Sequence, residues 1–167
     1  MDALERIEEL LDEAYYTDDP VEMERLAREV LELDEDNAEA IILLADAVEY
    51  SEEKITLLEK ARDILTEEIE AVLHSPEGNV LEDDTGMLYI AVLQRLGFAH
   101  FSEGRNEEAL AIARDIEQYD PEGETLARTL LYRVMLEMEL DSEVLQEALK
   151  DGKDSLAAVH GKAIAAF

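Results

Sequence analysis

Residues 96–121, LGFAHFSEGRNEEALAIARDIEQYDP, decide the fold. Apolar side chains recur at spacings of three and four on both sides of a polar break: Leu93, Leu96 and Phe101 before it, Leu110, Ala113 and Ile116 after it. That is the helical period, so the stretch reads as two helices joined at Glu103-Gly104-Arg105-Asn106. Gly104 can take the positive φ that ends the first helix, and Asn106 is suited to cap the second. Pro121 closes the unit, because proline biases Asp120 away from helix and fits the first turn of whatever helix follows.

Leu96-Gly97, Ala109 and Pro121 stand at the spacing of the tetratricopeptide repeat (TPR), a helix–turn–helix unit of about 34 residues, and the stretch resembles that family. Leu93 and Ala113 occupy two places where the family carries aromatics. The resemblance implies that the small residues let two helices approach closely and that Pro121 sets the bend into the next unit. It also implies that successive pairs stack into a superhelix whose first helices line a concave groove.

The same period extends along the chain. Leu4 to Tyr16 reads as a helix with Leu4, Ile7, Leu10, Leu11 and Ala14 on one face. Thr17-Asp18-Asp19-Pro20 stops it, Asp19 capping and Pro20 opening a second helix that carries Met23, Leu26, Ala27 and Val30 to Leu33. Residues 32–40 look like a junction between units, with Glu35 where the family has proline. A third helix is expected over Ala38–Tyr50 and a long fourth from about Glu52 to His74, followed by a loop from Ser75 to Gly86. Helices five and six, starting near Met87, form the diagnostic unit. A seventh is expected over about Glu124–Leu140, an eighth capped by Asp141-Ser142 through Lys150, and a last over Ser155–Phe167. The expected fold is all-α, a TPR-like α–α superhelix of about nine helices in one domain spanning 1–167. Its pairs fall at about 3–33, 38–74, 87–120 and 123–151, with a terminal helix at 154–167.

Composition narrows the function classes. The chain has no cysteine, which removes disulfides, zinc–thiolate sites and thiol catalysis together. Met1-Asp2-Ala3-Leu4-Glu5 lacks a basic segment followed by an apolar run, so no secretory signal is expected. Apolar stretches fall short of the roughly 20 residues a membrane span needs, and a soluble cytoplasmic protein is the expectation. Against 14 basic residues stand 44 acidic ones, for a formal net charge of −30. Such a field repels nucleic acid and anionic lipid and favours basic partners, although solubility alone accounts for much of it.

Motifs that would carry chemistry have simpler readings. Asp84-Thr85-Gly86 is the aspartic-protease tripeptide, but it occurs once and precedes a helix, so capping by Asp84 or Thr85 is the expectation. Asp34-Glu35-Asp36-Asn37 lacks the later glycine and glutamate of a calcium loop and reads as a capped junction. His74, His100 and His160 share no metal-ligand spacing; His100 reads as a satisfied core histidine. No nucleophile elbow or glycine-rich phosphate loop is present, and neither a cofactor nor a metal is expected.

What the family register implies about sites is a groove. In the first unit it is faced by Glu5, Glu8, Asp12, Tyr15 and Tyr16, and in the second by Glu39, Ile42, Asp46, Glu49 and Tyr50. The third contributes Ala91, Gln94, Phe98, Phe101 and Ser102; the fourth contributes Thr125, Arg128, Tyr132, Met135 and Leu136. Acids dominate one end and aromatics the other, so a basic or basic–aromatic peptide or protein segment is the expected partner. One subgroup of the family grips a carboxy-terminal carboxylate with Lys and Asn. Glu8 and Asp12 stand at the corresponding positions and would repel that ligand. The expected function is a non-enzymatic protein-interaction scaffold. Its rivals are an acidic decoy that sequesters a nucleic-acid-binding protein, and a hydrolase using Asp83 and Asp84. The 155–167 helix, apolar on all sides, is expected to fill the groove or to pair with its copy in a homodimer.

Overall fold

Asp2, Asp19 and Asn37 start three helices in the same way. Asp2 heads α1 (Ala3–Tyr16): its carboxylate accepts from the Glu5 N–H at 2.9 Å, and the Glu5 carboxylate accepts from the Asp2 N–H at 3.0 Å. Asp19 accepts from the Val21 N–H at 3.0 Å at the head of α2 (Pro20–Leu33), where Pro20 fills a position that needs no N–H. Asn37 accepts from the Ala40 N–H at 3.0 Å and heads α3 (Ala38–Ala47). Each cap satisfies a donor that the helix cannot satisfy itself. There follow α4 (Ser51–Leu73), a 3-10 turn (Val80–Glu82), α5 (Asp84–Ser102), α6 (Asn106–Tyr119), α7 (Ala127–Glu137) and α8 (Asp141–Lys150).

The structure, a computed structural model, describes residues 2–73, 79–120 and 125–150, and no strand occurs among them. The protein is all-α. His74, Pro121, His160 and the expected terminal helix over 155–167 lie outside the described residues.

By its contacts the chain divides into two compact units, Met1–Leu96 and Gly97–Phe167. In the first, α1 packs on α2, α2 on α3 and α3 on α4, and α1 also touches α3. α1 and α2, of 14 residues each, and α3, of 10, are too short to be stable alone and gain their stability by burying apolar side chains against these neighbours. Ile7, Leu10 and Ala14 of α1 meet Leu26, Ala27 and Val30 of α2 and Ala40, Leu43, Leu44 and Val48 around α3. Leu10 and Leu26 are fully buried, so truncating either to Ala would cost about 2–5 kcal/mol.

In the second unit α6 packs on α7 and α7 on α8. Ala109 and Ala113 of α6 sit with Leu130, Leu131, Tyr132, Val134 and Met135 of α7 and Val144 and Ala148 of α8. Gly97 lies in tight quarters: a Cβ there would fall 2.4 Å from Leu130 Cδ2 and 3.3 Å from Ile112 Cγ2. There is no room here for a side chain between α5 and its neighbours α6 and α7.

The turn after α5 also follows the expectation. Gly104 has φ 71°, its N–H donates to the Phe101 carbonyl at 3.0 Å, and the Arg105 N–H donates to the His100 carbonyl at 2.9 Å. These two bonds satisfy carbonyls left over at the end of the helix, in the Schellman arrangement. The end of α7 repeats the pattern with Glu139 (φ 58°) in the glycine's place: Glu139 N–H donates to Leu136 and Leu140 N–H to Met135.

Several boundaries differ from the sequence reading. Residue 105, not Asn106, holds the cap position of α6, and no side chain caps that helix; Asn106 is its first residue, and its Oδ1 is buried without a hydrogen-bond partner. α3 stops at Ala47 rather than Tyr50 because Val48 turns extended (φ −73°, ψ 144°) and buries its side chain. α5 begins at Asp84, and Asp83 is its cap, accepting from the Gly86 N–H at 2.9 Å. The expected loop before it contains the 3-10 turn, headed by Asn79. α7 is shorter than expected at both ends: Glu139 stops it, and Thr125 is bound by the buried Asp120 through its N–H at 2.8 Å and hydroxyl at 2.7 Å. α8 starts at Asp141 itself. His100 is in the core as expected, but its Nδ1 finds no hydrogen-bond partner.

Candidate partner-binding surface

The register assigns Tyr15, Glu39 and Asp46 to one face, and the first unit brings them onto neighbouring helices. Tyr15, at the end of α1, donates its hydroxyl to Glu39 of α3 at 3.1 Å. In the last turn of α3, Asp46 receives Arg95 of α5 in a bidentate pair, with Nε–Oδ1 at 3.0 Å and a second nitrogen on Oδ2 at 2.9 Å. Burial, then the charge of Glu39 and its hydrogen bond, push the Tyr15 phenol up to about 12; Arg95 pulls it slightly back. α1, α3 and the first-unit part of α5 are thus joined across this face by polar contacts. Arg95 is the member that the sequence reading missed, since the register put Gln94 on this face.

The other first-unit residues assigned to the groove have varied places. Glu8 and Asp12 are exposed. Glu5 is exposed too, but its carboxylate is held in the cap of α1. Ile42 is buried at 5% exposure. Glu49 is exposed and forms no hydrogen bond or ion pair among the described residues. Gln94 is half-buried.

Two hollows open at the end of this unit where α1 and α3 stop and α2 and α4 start. One, of about 530 Å³, is lined by Glu9, Asp12, Glu13, Tyr16 and Glu22 over Leu26. The other, also about 530 Å³, has Pro20, Val21, Val48 and Tyr50 for apolar walls and Glu24, Asp46, Glu49 and Glu53 for carboxylates. Val21 is 76% exposed and Tyr50 75%, which is high for large apolar side chains. Val21, Glu24 and Glu53 had no signal in the groove register, because they come from second helices; only the fold of the loops brings them beside Asp46 and Glu49.

In the second unit the residues assigned to the groove are mostly committed to the interior. Tyr132 and Met135 are 3% and 1% exposed and belong to the hydrophobic cluster of α6, α7 and α8. Phe98 and Phe101 pack against that cluster, half-buried, and the Arg133 guanidinium lies 5.5 Å from the Phe101 ring centre. Arg128 is half-buried. Among the described residues no group of three or more His, Cys, Asp or Glu could hold a metal ion, and no helix is long and apolar enough to cross a membrane. Asp83, one of the two acids of the hydrolase reading, spends a carboxylate oxygen on the cap of α5, and Asp84 is exposed in the first turn.

No protein-family model, curated protein or solved structure matches the chain.

Proposed function

We propose that the chain is a TPR-like, non-enzymatic interaction module that takes a basic segment of another protein on the acidic face of its first unit. The observation that carries this reading is the junction of α1, α3 and α5 through Tyr15–Glu39 and Asp46–Arg95, on the side where a stacked-pair architecture lines its groove. The order of helix contacts, α1 touching α3 as well as α2, and the close approach at Gly97 support the same architecture. Charge supports the kind of partner: Glu8 and Asp12 are exposed on α1, the helix that carries Tyr15, in a chain of net charge −30. Exposed carboxylates of this sort act on the encounter more than on the lifetime of a complex.

The test is association of a Lys- and Arg-rich peptide with the full chain, followed by stopped flow. Glu8→Lys together with Asp12→Lys is expected to slow association about tenfold at low salt, with dissociation changed by less than about twofold. Association that is unchanged at low salt would remove this face from the function. The decoy reading separates on another axis. It requires that duplex DNA compete for the same basic partner, with an affinity that falls steeply with salt.

A further inference from the structure

We infer that the hollow between the start of α2, the end of α3 and the start of α4 is the anchoring site for that partner. Its occupant is a segment in which an apolar side chain stands between two basic ones. The inference rests on the interaction-module reading and adds to it the chemistry of the ligand.

The apolar part follows from exposure. Val21 and Tyr50 both line the hollow and are about three-quarters exposed, and Pro20 and the buried Val48 line it with them. The two carry far more exposed apolar area than isolated surface residues would need. An aliphatic side chain entering the hollow would remove part of that area from water.

The basic part follows from charge. Four carboxylates line the hollow: Glu24, Asp46, Glu49 and Glu53. Two guanidiniums answer them. Arg28 reaches Glu24 at 2.7 Å and Glu53 at 3.6 Å, and Arg95 holds Asp46 at 2.9 Å. Two negative charges are left over, and Glu49 has no partner among the described residues. The first turns of α2 and α4 each bring about half a positive charge and the last turn of α3 about half a negative one, so the balance stays negative by more than one charge. An incoming segment with two cations matches that deficit; one with acids is repelled.

Of the second-unit residues assigned to the groove, Tyr132 and Met135 are already buried in the core, and Phe98 and Phe101 are half-buried against it. Val21 and Tyr50 are exposed and carry no such commitment to the core.

The experiment uses the full chain and three short capped peptides: one carrying Lys-Leu-Lys, one Lys-Ser-Lys and one Glu-Leu-Glu. Titration calorimetry is expected to show binding of the first, roughly tenfold weaker binding of the second and none of the third. Val21→Ser and Tyr50→Ser, both surface changes, are expected to weaken the first peptide by roughly five- to tenfold, and Glu49→Gln by about threefold. Unchanged thermal melting of each variant shows that the fold is intact. Equal affinity for the Lys-Leu-Lys and Lys-Ser-Lys peptides, or no effect of Val21→Ser and Tyr50→Ser, would overturn the anchoring site. If those variants are silent while Glu8→Lys with Asp12→Lys still slows association, the interaction-module reading survives and the hollow does not. If basic peptides fail to bind at all, both fall.

Discussion

Two helix ends, Gly104 and Glu139, carry the same backbone turn on different side chains. A non-glycine residue in the left-handed region costs about 1–2 kcal/mol, whereas a glycine loses roughly 0.5–1 kcal/mol through its greater freedom in the unfolded chain. The first term is the larger. Glu139→Gly is therefore expected to stabilise the protein by about 0.5–1 kcal/mol, and Gly104→Ala to destabilise it by about 1 kcal/mol. Chemical denaturation of both variants checks this; a change of the same sign in the two would mean that something other than the left-handed backbone governs these ends. Gly104 was legible in the sequence because glycine after an apolar helical run signals such a turn. Glu139 was not, since nothing in its side chain distinguishes it from the acids around it, and the seventh helix was accordingly expected to run on to Leu140.

At the scale of the element, what the sequence made legible is what local chemistry decides. Asp19-Pro20 and Asn37 announced their helices, and the apolar period placed Leu10, Leu26 and Val30 in the interior, where the structure has them. What it hid depends on contacts between elements. Val48 leaves the helix to be buried, Asp120 turns inward to hold Thr125, and Arg95 rather than Gln94 meets Asp46. The candidate site was half legible for the same reason: register supplies the face of a first helix, but the hollow is built by second helices and loops. The α1–α3 contact also yields a prediction in pH. Tyr15 ionises near 12 in the folded protein, against about 10 in an unfolded chain. Its contribution is present in full below pH 10. It is lost as pH rises through 12, because the unfolded chain releases that proton first. In an ultraviolet absorbance titration Tyr15→Phe is expected to remove a phenol that ionises near 12, and the variant's stability to fall less over this alkaline range. A titration curve unaltered by the substitution at that pH would mean that Tyr15 is not held in its partly buried place beside Glu39 in solution.

Over the whole molecule, repulsion among 44 acidic residues competes with attraction to 14 basic ones. Surface ion pairs contribute about 0–1 kcal/mol each and weaken with salt, but so few bases leave most acids facing only other acids. Repulsion therefore decides the sign. Raising salt from about 20 mM to about 0.5 M, which shortens the screening length from roughly 20 Å to under 5 Å, is expected to raise the melting temperature. A lower melting temperature in high salt would show that the pairs outweigh the repulsion. Acid has the opposite effect at its far end. Hydrogen bonds from Arg25 and Arg6 hold the carboxyls of Glu22 and Glu29 below their usual range, so the stability these pairs contribute is complete above about pH 4.5 and is lost as pH falls further.

The arginines have a valency. Arg6 joins Glu9 of its own helix to Glu29 of α2, Arg28 joins Glu24 to Glu53 of α4, and Arg114 joins Glu117 to Glu147 of α8. Each is a cross-link between two strands of negative charge, as a bridging counterion is in a polyacid gel. Removing one cation from such a link does more than delete an attraction: it leaves two carboxylates facing each other across a helix interface. The protein's tolerance to mutation should therefore be lopsided, forgiving when an acid is neutralised and unforgiving when one of these few bases is.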